Sequence, residues 1–314
     1  MNELGTKKKR KKERKVLVKR LKSHWQLYLF LLPMLVYLFV FDYIPLYGIQ
    51  IAFRNFKPTL GILGSEWVGL KYFTQFFDSN MFSVIVPNTL VLSLYSLIAG
   101  VLPPIILALC LNYIPSAKYK KIVQNVTYAP HFISLVVLVS LIQAFFSTST
   151  GLVNNILEHL GQEEIFFLGN PQTFRHIYVW SGVWQSVGWS SIIYLANLTN
   201  VNPELHEAAR VDGATIMQRI RYIDIPTIMP VIVTIFIMST GKLMSLGFDK
   251  AYLLQNNFNL ETSELISTYV YKRGLLHSQY SYSTAVGLFN SVINLILILM
   301  TNAISKKLTE TSVI

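Results

Sequence analysis

Long apolar stretches separated by short polar segments dominate the pattern of this chain. A helix crosses the roughly 30 Å hydrocarbon core of a bilayer with about 20 residues, and six stretches are long and apolar enough to do so. They lie at about residues 26–48, 88–113, 127–146, 177–199, 226–246 and 281–304. The pattern therefore predicts an all-α integral membrane protein with six transmembrane helices.

Composition supports this prediction. Of the 314 residues, 52% are hydrophobic and only 14% are charged, whereas soluble domains carry roughly 25% charged residues. The mean hydropathy is +0.44. The first apolar stretch follows a basic segment, as a signal peptide would, but it is too long for one and no A-x-A-like site follows. We therefore expect it to remain as a transmembrane helix.

The formal net charge of +11 is concentrated at one end of the chain. Residues 1–24 hold eleven Lys and Arg against two Glu, a local balance of +9. Basic loops stay in the cytoplasm, and with the N-terminus inside, nineteen basic residues fall on inner segments and seven on outer loops. Both termini are therefore expected in the cytoplasm. We expect the basic tail to bind anionic lipid. The sequence does not distinguish this role from the alternative, an arm that binds a partner or nucleic acid.

The inner segment before the fifth stretch predicts two short helices joined by a turn. Asn202 is a good N-cap, and Pro203 suits the first position of a helix. Gly213 is expected to end that helix, because glycine adopts the positive φ of a C-cap. A second amphipathic helix is expected from about 215 to 223, stopping before Pro226. We therefore expect a helix–turn–helix at the inner membrane face.

This segment resembles the EAA loop of ABC importer permeases. The resemblance is carried by the identity and spacing of Glu207, Ala208, Ala209, Asp212, Gly213, Ala214, Pro226 and Pro230. Ile220 stands where that family usually has phenylalanine, which keeps the position apolar. These nine positions are the ones that the resemblance assigns to coupling with an ATPase.

Further segments resemble the carbohydrate branch of these permeases, in particular the LplB-like polysaccharide and oligosaccharide permeases related to the maltose permease. They are residues 127–134, 247–250, 268–275 and 282–289. The resemblance implies six helices, the last five forming a shared core. It divides the chain into a basic tail (1–24), a first helix with an outer segment (25–80), a permease core (81–305) and a C-terminal tail (306–314).

The resemblance also implies a division of labour within an importer of the bacterial plasma membrane. This chain would form half of the pathway for a carbohydrate, with a second homologous permease subunit forming the other half. Two cytoplasmic ATPase subunits would supply energy, and an extracytoplasmic solute-binding lipoprotein would deliver the solute. The chain has no G-x-x-x-x-G-K-[ST] motif for binding ATP phosphates. We therefore expect it to be neither an enzyme nor the holder of a cofactor.

Candidate solute contacts are polar and aromatic residues inside the predicted spans, because such residues face the interior of a helix bundle. Interhelical hydrogen bonds and interfacial tryptophans explain the same residues equally well. The candidates for the substrate pathway are Gln185, Trp189, Asn290, Asn294 and Lys242.

Two other functional classes remain as alternatives. A self-sufficient secondary transporter or channel would need ion-coupling residues or internal repeats, and neither is evident. A membrane-bound enzyme would need clustered His, Asp or Glu at one membrane face, whereas the six histidines are scattered without metal-ligand spacing. We therefore expect no metal site. We also expect no nucleic-acid partner, because the net charge outside the basic tail is only +2 and we keep the lipid-binding interpretation of that tail.

Overall fold

A computed structural model describes residues 23, 25–241, 243–244 and 247–309. The chain divides between Val68 and Gly69 into two compact units, which are taken in turn. The predicted basic tail at 1–24, apart from residue 23, and the end of the C-terminal tail lie outside the described residues.

The first unit is one long helical run followed by a small hairpin. The run Trp25–Phe53 has 29 residues and enough hydropathy to cross a membrane. It contains α1 (Trp25–Leu38), a π turn (Phe39–Tyr43), α2 (Ile44–Leu46) and a 3-10 turn (Tyr47–Phe53). Strands β1 (Arg54–Asn55) and β2 (Glu66–Trp67) pair antiparallel with α3 (Gly61–Gly64) between them.

The hairpin of the first unit is closed by its aromatic and polar side chains. The rings of Phe53 and Trp67 stack with their centroids 5.5 Å apart. Arg54 Nη1 donates to the Ser65 carbonyl oxygen at 2.8 Å. These contacts hold together a connection whose two strands are only two residues long each.

The second unit contains helices joined by turns and loops, with no strand among its described residues. Its first helices are α4 (Lys71–Phe77), α5 (Phe82–Asn112), α6 (Ala117–Tyr128), α7 (Leu135–Phe145), α8 (Leu152–His159) and α9 (Pro171–Leu198). After these come α10 (Pro203–Val211), α11 (Ile216–Arg219), α12 (Ile225–Thr240), α13 (Phe248–Leu254), α14 (Leu260–Ser263), α15 (Ile266–Tyr271) and α16 (Tyr280–Thr309). Shorter turns lie at Ala129–Phe132 (3-10), Ile220–Asp224 (π) and Lys272–Leu276 (π).

Helix α5 is the element around which the second unit packs. Leu92 of α5 lies in a buried cluster with residues of α7, α9 and α13. Ile85 lies in a second cluster with α4, α15 and α16. Ala108 lies in a third cluster with α9 and α12. One 31-residue helix therefore contributes to all three apolar clusters.

Four helical runs among the described residues are long and apolar enough to span a membrane, and a bent pair makes up to five. The four are Trp25–Phe53, Phe82–Asn112, Ile216–Thr240 and Tyr280–Ala303. The fourth predicted span corresponds to α9, whose 28 residues extend about 42 Å at 1.5 Å per residue. It is long enough to cross but less apolar than the other four.

The prediction of one continuous helix at 127–146 is wrong. The helical run Ala117–Phe132 and helix α7 meet at an angle of 100°. Pro130 sits in the 3-10 turn, where its ring and missing N–H oppose continuation of the helix. Ser134 is extended and caps α7, its side chain accepting from the Val137 amide. A proline and an N-cap only four residues apart thus convert a predicted span into two segments.

The prediction that the second inner helix stops before Pro226 is also wrong. Helix α11, the π turn Ile220–Asp224 and α12 form one run from Ile216 to Thr240. Pro226 lies in the first turn of α12, where a missing N–H costs little. The fifth span therefore begins ten residues earlier than predicted, and the inner turn is joined to it directly.

Candidate functional site

The inner segment begins with helix α10, which starts where the sequence predicts. Asn202 Oδ1 accepts a hydrogen bond from the Glu204 amide at 3.0 Å, and Pro203 occupies the first helical position. The cap satisfies one of the amides that a helix start leaves unpaired. Helix α10 is therefore defined at its N-terminus by its own sequence.

The turn after α10 is a Schellman motif that depends on Gly213. Its φ is +80°, in the left-handed region that favours glycine. The Ala214 amide donates to the Ala209 carbonyl at 2.8 Å, and the Gly213 amide donates to the Arg210 carbonyl at 3.1 Å. These are the two hydrogen bonds of that motif. A Cβ on Gly213 would meet no atom within 4 Å, so the constraint comes from the backbone angle alone.

The next helix starts with a capping box that the sequence analysis missed. The Thr215 amide donates to Gln218 Oε1 at 2.7 Å, and the Gln218 amide donates to Thr215 Oγ1 at 3.3 Å. A Thr followed three residues later by Gln is the sequence signature of this motif. The turn is therefore fixed from both sides, by a Schellman motif before it and a capping box after it.

The surface around this turn is apolar and uncovered. Val211 is 88% exposed and Met217 is 71% exposed, and Leu205 is also exposed. Among the nine resemblance positions, Ala209, Ala214 and Ile220 are half-buried, whereas the exposed ones are Glu207, Ala208, Asp212, Gly213, Pro226 and Pro230. Ile220 packs against the cluster shared by α5, α9 and α12. An exposed, rigid, partly apolar helix end is suited to contact with another protein.

A buried carboxylate behind this surface was also missed by the sequence analysis. Asp224 is fully buried at the end of the π turn. Tyr113, the residue that follows α5, donates its hydroxyl to Asp224 Oδ2 at 2.7 Å. His206 Nε2 of α10 lies 3.2 Å from Asp224 Oδ1. The sequence did contain a signal for this residue, since it is an acidic residue between two isoleucines at the start of an apolar run.

The electrostatics of this cluster keep Tyr113 a hydrogen-bond donor. Burial, followed by the hydrogen bond to Asp224, raises the pKa of Tyr113 to about 12. The Arg219 guanidinium carbon lies 5.4 Å from the centre of the Tyr113 ring, a distance at which a cation is attracted to a ring face. The tyrosine hydroxyl thus stays protonated at neutral pH and satisfies one carboxylate oxygen.

Three of the predicted pathway residues hold backbone segments in place. Gln185 Nε2 donates to the Ile133 carbonyl oxygen at 2.8 Å, at the break before α7. Asn290 Nδ2 donates to the Met244 carbonyl oxygen at 3.1 Å, and Asn294 Oδ1 accepts from the Met244 amide at 2.8 Å. These side-chain amides form hydrogen bonds with backbone groups of non-helical segments. Apolar surroundings would otherwise leave those groups unpaired. The fourth candidate, Lys242, lies outside the described residues.

Trp189 is the predicted pathway residue that lines a cavity. The cavity has a volume of about 460 Å³ and lies between α5, α9 and α12. Its polar lining includes Ser93, Ser96, Ser190 and Ser239. The hydroxyls of Ser93 and Ser96 are buried without a hydrogen-bond partner in the described part of the chain. Buried hydroxyls of this kind are available to a polar ligand.

The indole of Trp189 lies at this cavity and is 48% exposed. It stacks on the His131 ring with 4.5 Å between centroids and 2° between planes. Close packing positions the helix that carries it: a Cβ on Gly188 would lie 2.1 Å from the Thr127 carbonyl oxygen. Only glycine permits this approach between α9 and α6. The arrangement presents an aromatic face beside free hydroxyls, which suits a polyhydroxylated ligand.

A buried lysine lies in a segment that the sequence analysis had placed in an outer loop. Lys250 of α13 is only 8% exposed, and its Nζ donates to the Tyr178 carbonyl oxygen at 2.7 Å. The ammonium also lies 4.8 Å from the centre of the Tyr178 ring. Burial lowers the pKa of Lys250 to about 8. This loop is therefore packed onto α9.

Comparison with known proteins places these features in a family context. Residues 100–310 match the model of a family described as the binding-protein-dependent transport system inner membrane component. The chain is 44% identical over 302 residues to a polygalacturonan/rhamnogalacturonan transport system permease protein, YteP, of Bacillus subtilis, covering 96% of this chain and 94% of the relative. It is 41% identical over 287 residues to Protein LplB of the same organism, covering 91% and 90%.

Solved structures agree with these sequence relatives. One match is a bacterial ABC transporter involved in the import of the acidic polysaccharide alginate, with a TM-score of 0.87 and 40% identity over 93% of this chain and 99% of that chain. A bacterial alginate ABC transporter was also solved in complex with an alginate pentasaccharide-bound periplasmic protein, with the same TM-score and identity over 94% and 99%. The resemblance to LplB-like carbohydrate permeases is thereby confirmed.

Proposed function

This chain belongs to the binding-protein-dependent transport system inner membrane components and is a permease of an ABC importer, and we propose that it carries an acidic oligosaccharide and is driven by an ATPase docked at α10. It would form half of the pathway, with a second homologous permease subunit forming the other half. We further propose six membrane crossings with both termini in the cytoplasm of a bacterium, the bent pair α6–α7 and helix α9 supplying the crossings beyond the four apolar runs.

The solute class is supported by the cavity between α5, α9 and α12. Its free serine hydroxyls and the Trp189 face match the hydroxyls and apolar ring faces of a sugar. Cavities of about 300–1,000 Å³ hold small ligands, and this one has about 460 Å³. The acidic character is inferred from similar proteins, one described as a polygalacturonan/rhamnogalacturonan transport system permease protein and one as an importer of the acidic polysaccharide alginate. An extracytoplasmic solute-binding lipoprotein would deliver the solute, as a periplasmic protein accompanies the alginate transporter.

The observation that carries the coupling proposal is the exposed end of α10. The Schellman motif fixes the turn at Gly213, and the exposed Val211 and Met217 flank it. Covering such a surface with a partner is favourable, because burial of apolar area contributes about 25 cal/mol per Å² to the free energy of association. We propose that each of two cytoplasmic ATPase subunits binds one permease subunit here, Glu207 and Asp212 supplying charge at the rim.

The decisive experiment compares two glutamates of the same helix. The full transporter is purified with Glu207→Gln or with the control Glu204→Gln, and the retained ATPase is measured together with oligosaccharide uptake in proteoliposomes. Glu204 serves as the control because it sits in the first turn beside Asn202, away from the Gly213 turn. We expect Glu207→Gln to lower both quantities and Glu204→Gln to lower neither.

The same measurement separates the alternative function. A self-sufficient secondary transporter or channel would move solute in vesicles that contain this chain and no ATPase. Uptake under those conditions would overturn the proposed function. Uptake that requires ATP and the ATPase would support it.

A further inference from the structure

The cluster around Asp224 connects the surface of α10 to two membrane-crossing helices. The carboxylate belongs to the π turn at the start of the run Ile216–Thr240. Its two neighbours come from other elements: Tyr113 follows the last residue of α5, and His206 lies in the middle of α10. Three separate elements therefore meet at one buried side chain.

The energetics of the cluster require these contacts. A carboxylate withdrawn from water is destabilised by several kcal/mol unless partners replace its hydration. Asp224 has no exposed area. Among the described residues, the contacts with Tyr113 and His206 therefore take the place of its hydration. Moving α10 away from the π turn would remove one of them. The carboxylate thus opposes displacement of α10 relative to the spans.

The two contacts of Asp224 differ in quality. The Tyr113 hydroxyl makes an aligned hydrogen bond at 2.7 Å to Oδ2. Oδ1 lies 3.2 Å from His206 Nε2, yet it accepts no aligned hydrogen bond from any described residue. The contact to α5 is therefore made, whereas the contact to α10 is close but unaligned.

The residues that link these elements lie at a π turn. The wide turn Ile220–Asp224 replaces the regular i to i−4 bonding of the helix, and π turns are found frequently at functional sites. Arg219, which precedes the turn, lies over the Tyr113 ring. Four side-chain groups thus connect the π turn with α5 and α10: the Asp224 carboxylate, the Tyr113 hydroxyl, the His206 imidazole and the Arg219 guanidinium.

We propose that Tyr113, His206 and Asp224 form a joint through which movement of α10 is transmitted to helices α5 and α12. The inference rests on the proposed function, because it assumes that an ATPase moves α10. The three side chains are positioning residues in this proposal, since none of them lines the serine-containing cavity proposed for the solute. Their role is to make the two spans follow α10 as one body.

The first arm of the test asks whether the joint exists, and it needs no ATPase. The full chain in nanodiscs is compared as Tyr113→Phe, His206→Gln and the double variant, each by its Tm. We expect the loss in the double variant to differ from the sum of the two single losses, because both residues contact the same carboxylate. Strictly additive losses would show that they do not share it and would overturn the joint.

The second arm asks whether the joint transmits movement. In the assembled transporter, solute transported per ATP hydrolysed is measured for wild type, Tyr113→Phe and His206→Gln. Tyr222→Phe is the matched control, because its ring is 70% exposed on the same π turn. We expect both joint variants to lower this ratio by about tenfold, the factor equivalent to about 1.4 kcal/mol, while the ATPase still copurifies.

The two arms separate the joint from the proposed function. A wild-type transporter that retains no ATPase would refute the proposed function and the transmission role together, while the Tm cycle would still report the contact. An unchanged ratio with the ATPase retained would refute the joint and leave the proposed function intact. A ratio that falls equally in Tyr222→Phe would also refute the joint, since a general loosening of the turn would then explain it.

Discussion

Replacement of Gly213 by valine tests the geometry of the inner turn most directly. The residue has φ of +80°, and a side chain there would meet nothing within 4 Å. Steric overlap is thus absent, and the expected penalty comes only from the left-handed backbone, about 1–2 kcal/mol for a residue with a Cβ. Since 1.4 kcal/mol corresponds to tenfold, the correctly formed turn should become about ten times less populated relative to alternatives.

The assay is ATP-driven uptake in proteoliposomes, with membrane insertion and retained ATPase measured in parallel. We expect Gly213→Val to insert normally and to lower uptake by up to about tenfold, the limit set by the tenfold fall in the ratio of formed to unformed turn. Gly213→Asn should retain more activity than Gly213→Val, because asparagine tolerates the left-handed region. Equal losses in the two variants would contradict the backbone argument.

Gly161 provides a matched control. Its φ is +74° with no atom within 4 Å of a Cβ, and it ends α8 with the same pair of hydrogen bonds, from Gly161 to Glu158 and from Gln162 to Leu157. Gly161→Val therefore carries the same strain at a different loop. If uptake falls as much in Gly161→Val as in Gly213→Val, the turn after α10 has no special role in coupling.

Three further predictions follow from packing and charge. Trp189→Ala should lower solute uptake while the ATPase is retained, because the indole lines the cavity. Gly188→Ala should lower the Tm, since its Cβ would lie 2.1 Å from the Thr127 carbonyl oxygen, whereas Gly100→Ala, with open space around it, should not. Relative to Lys250→Met, the wild-type Tm should rise between pH 8 and pH 10.5, because the folded-state pKa of Lys250, about 8, lies below the ordinary 10.5, so the unfolded state binds more protons at this lysine there.

Local signals in the sequence were sufficient for the start and end of α10. The Asn202 cap and the positive φ of Gly213 depend only on residues within a few positions, so sequence reasoning reaches them. The Thr215 capping box was equally local and was overlooked. The errors in the spans had a different origin: hydropathy reports how apolar a stretch is, and a bend of 100° at Pro130 to Ser134 leaves hydropathy unchanged.

Contacts between distant parts of the chain could not be predicted. Tyr113 and Asp224 are 111 residues apart, and no periodicity links them. Asn290 and Asn294 were predicted as solute contacts because they are polar residues inside a predicted span. Their hydrogen bonds go instead to the backbone of Met244, and this depends on where the fold places residues 243–244. Burial of Lys250 similarly depends on the packing of α13 against α9. Such partners are set by tertiary structure alone.

Helix α1 has a practical consequence for mutagenesis. Within its own unit none of its fourteen residues is fully buried, so residues 25–68 impose little shape requirement on these side chains. Exchanges such as Leu29→Ile or Leu35→Ile should therefore be silent wherever fluid lipid is the only neighbour. An exchange that does impair transport would mark a point where protein rather than lipid contacts α1. A scan of α1 thus becomes a map of the neighbours that this helix has in the assembled importer.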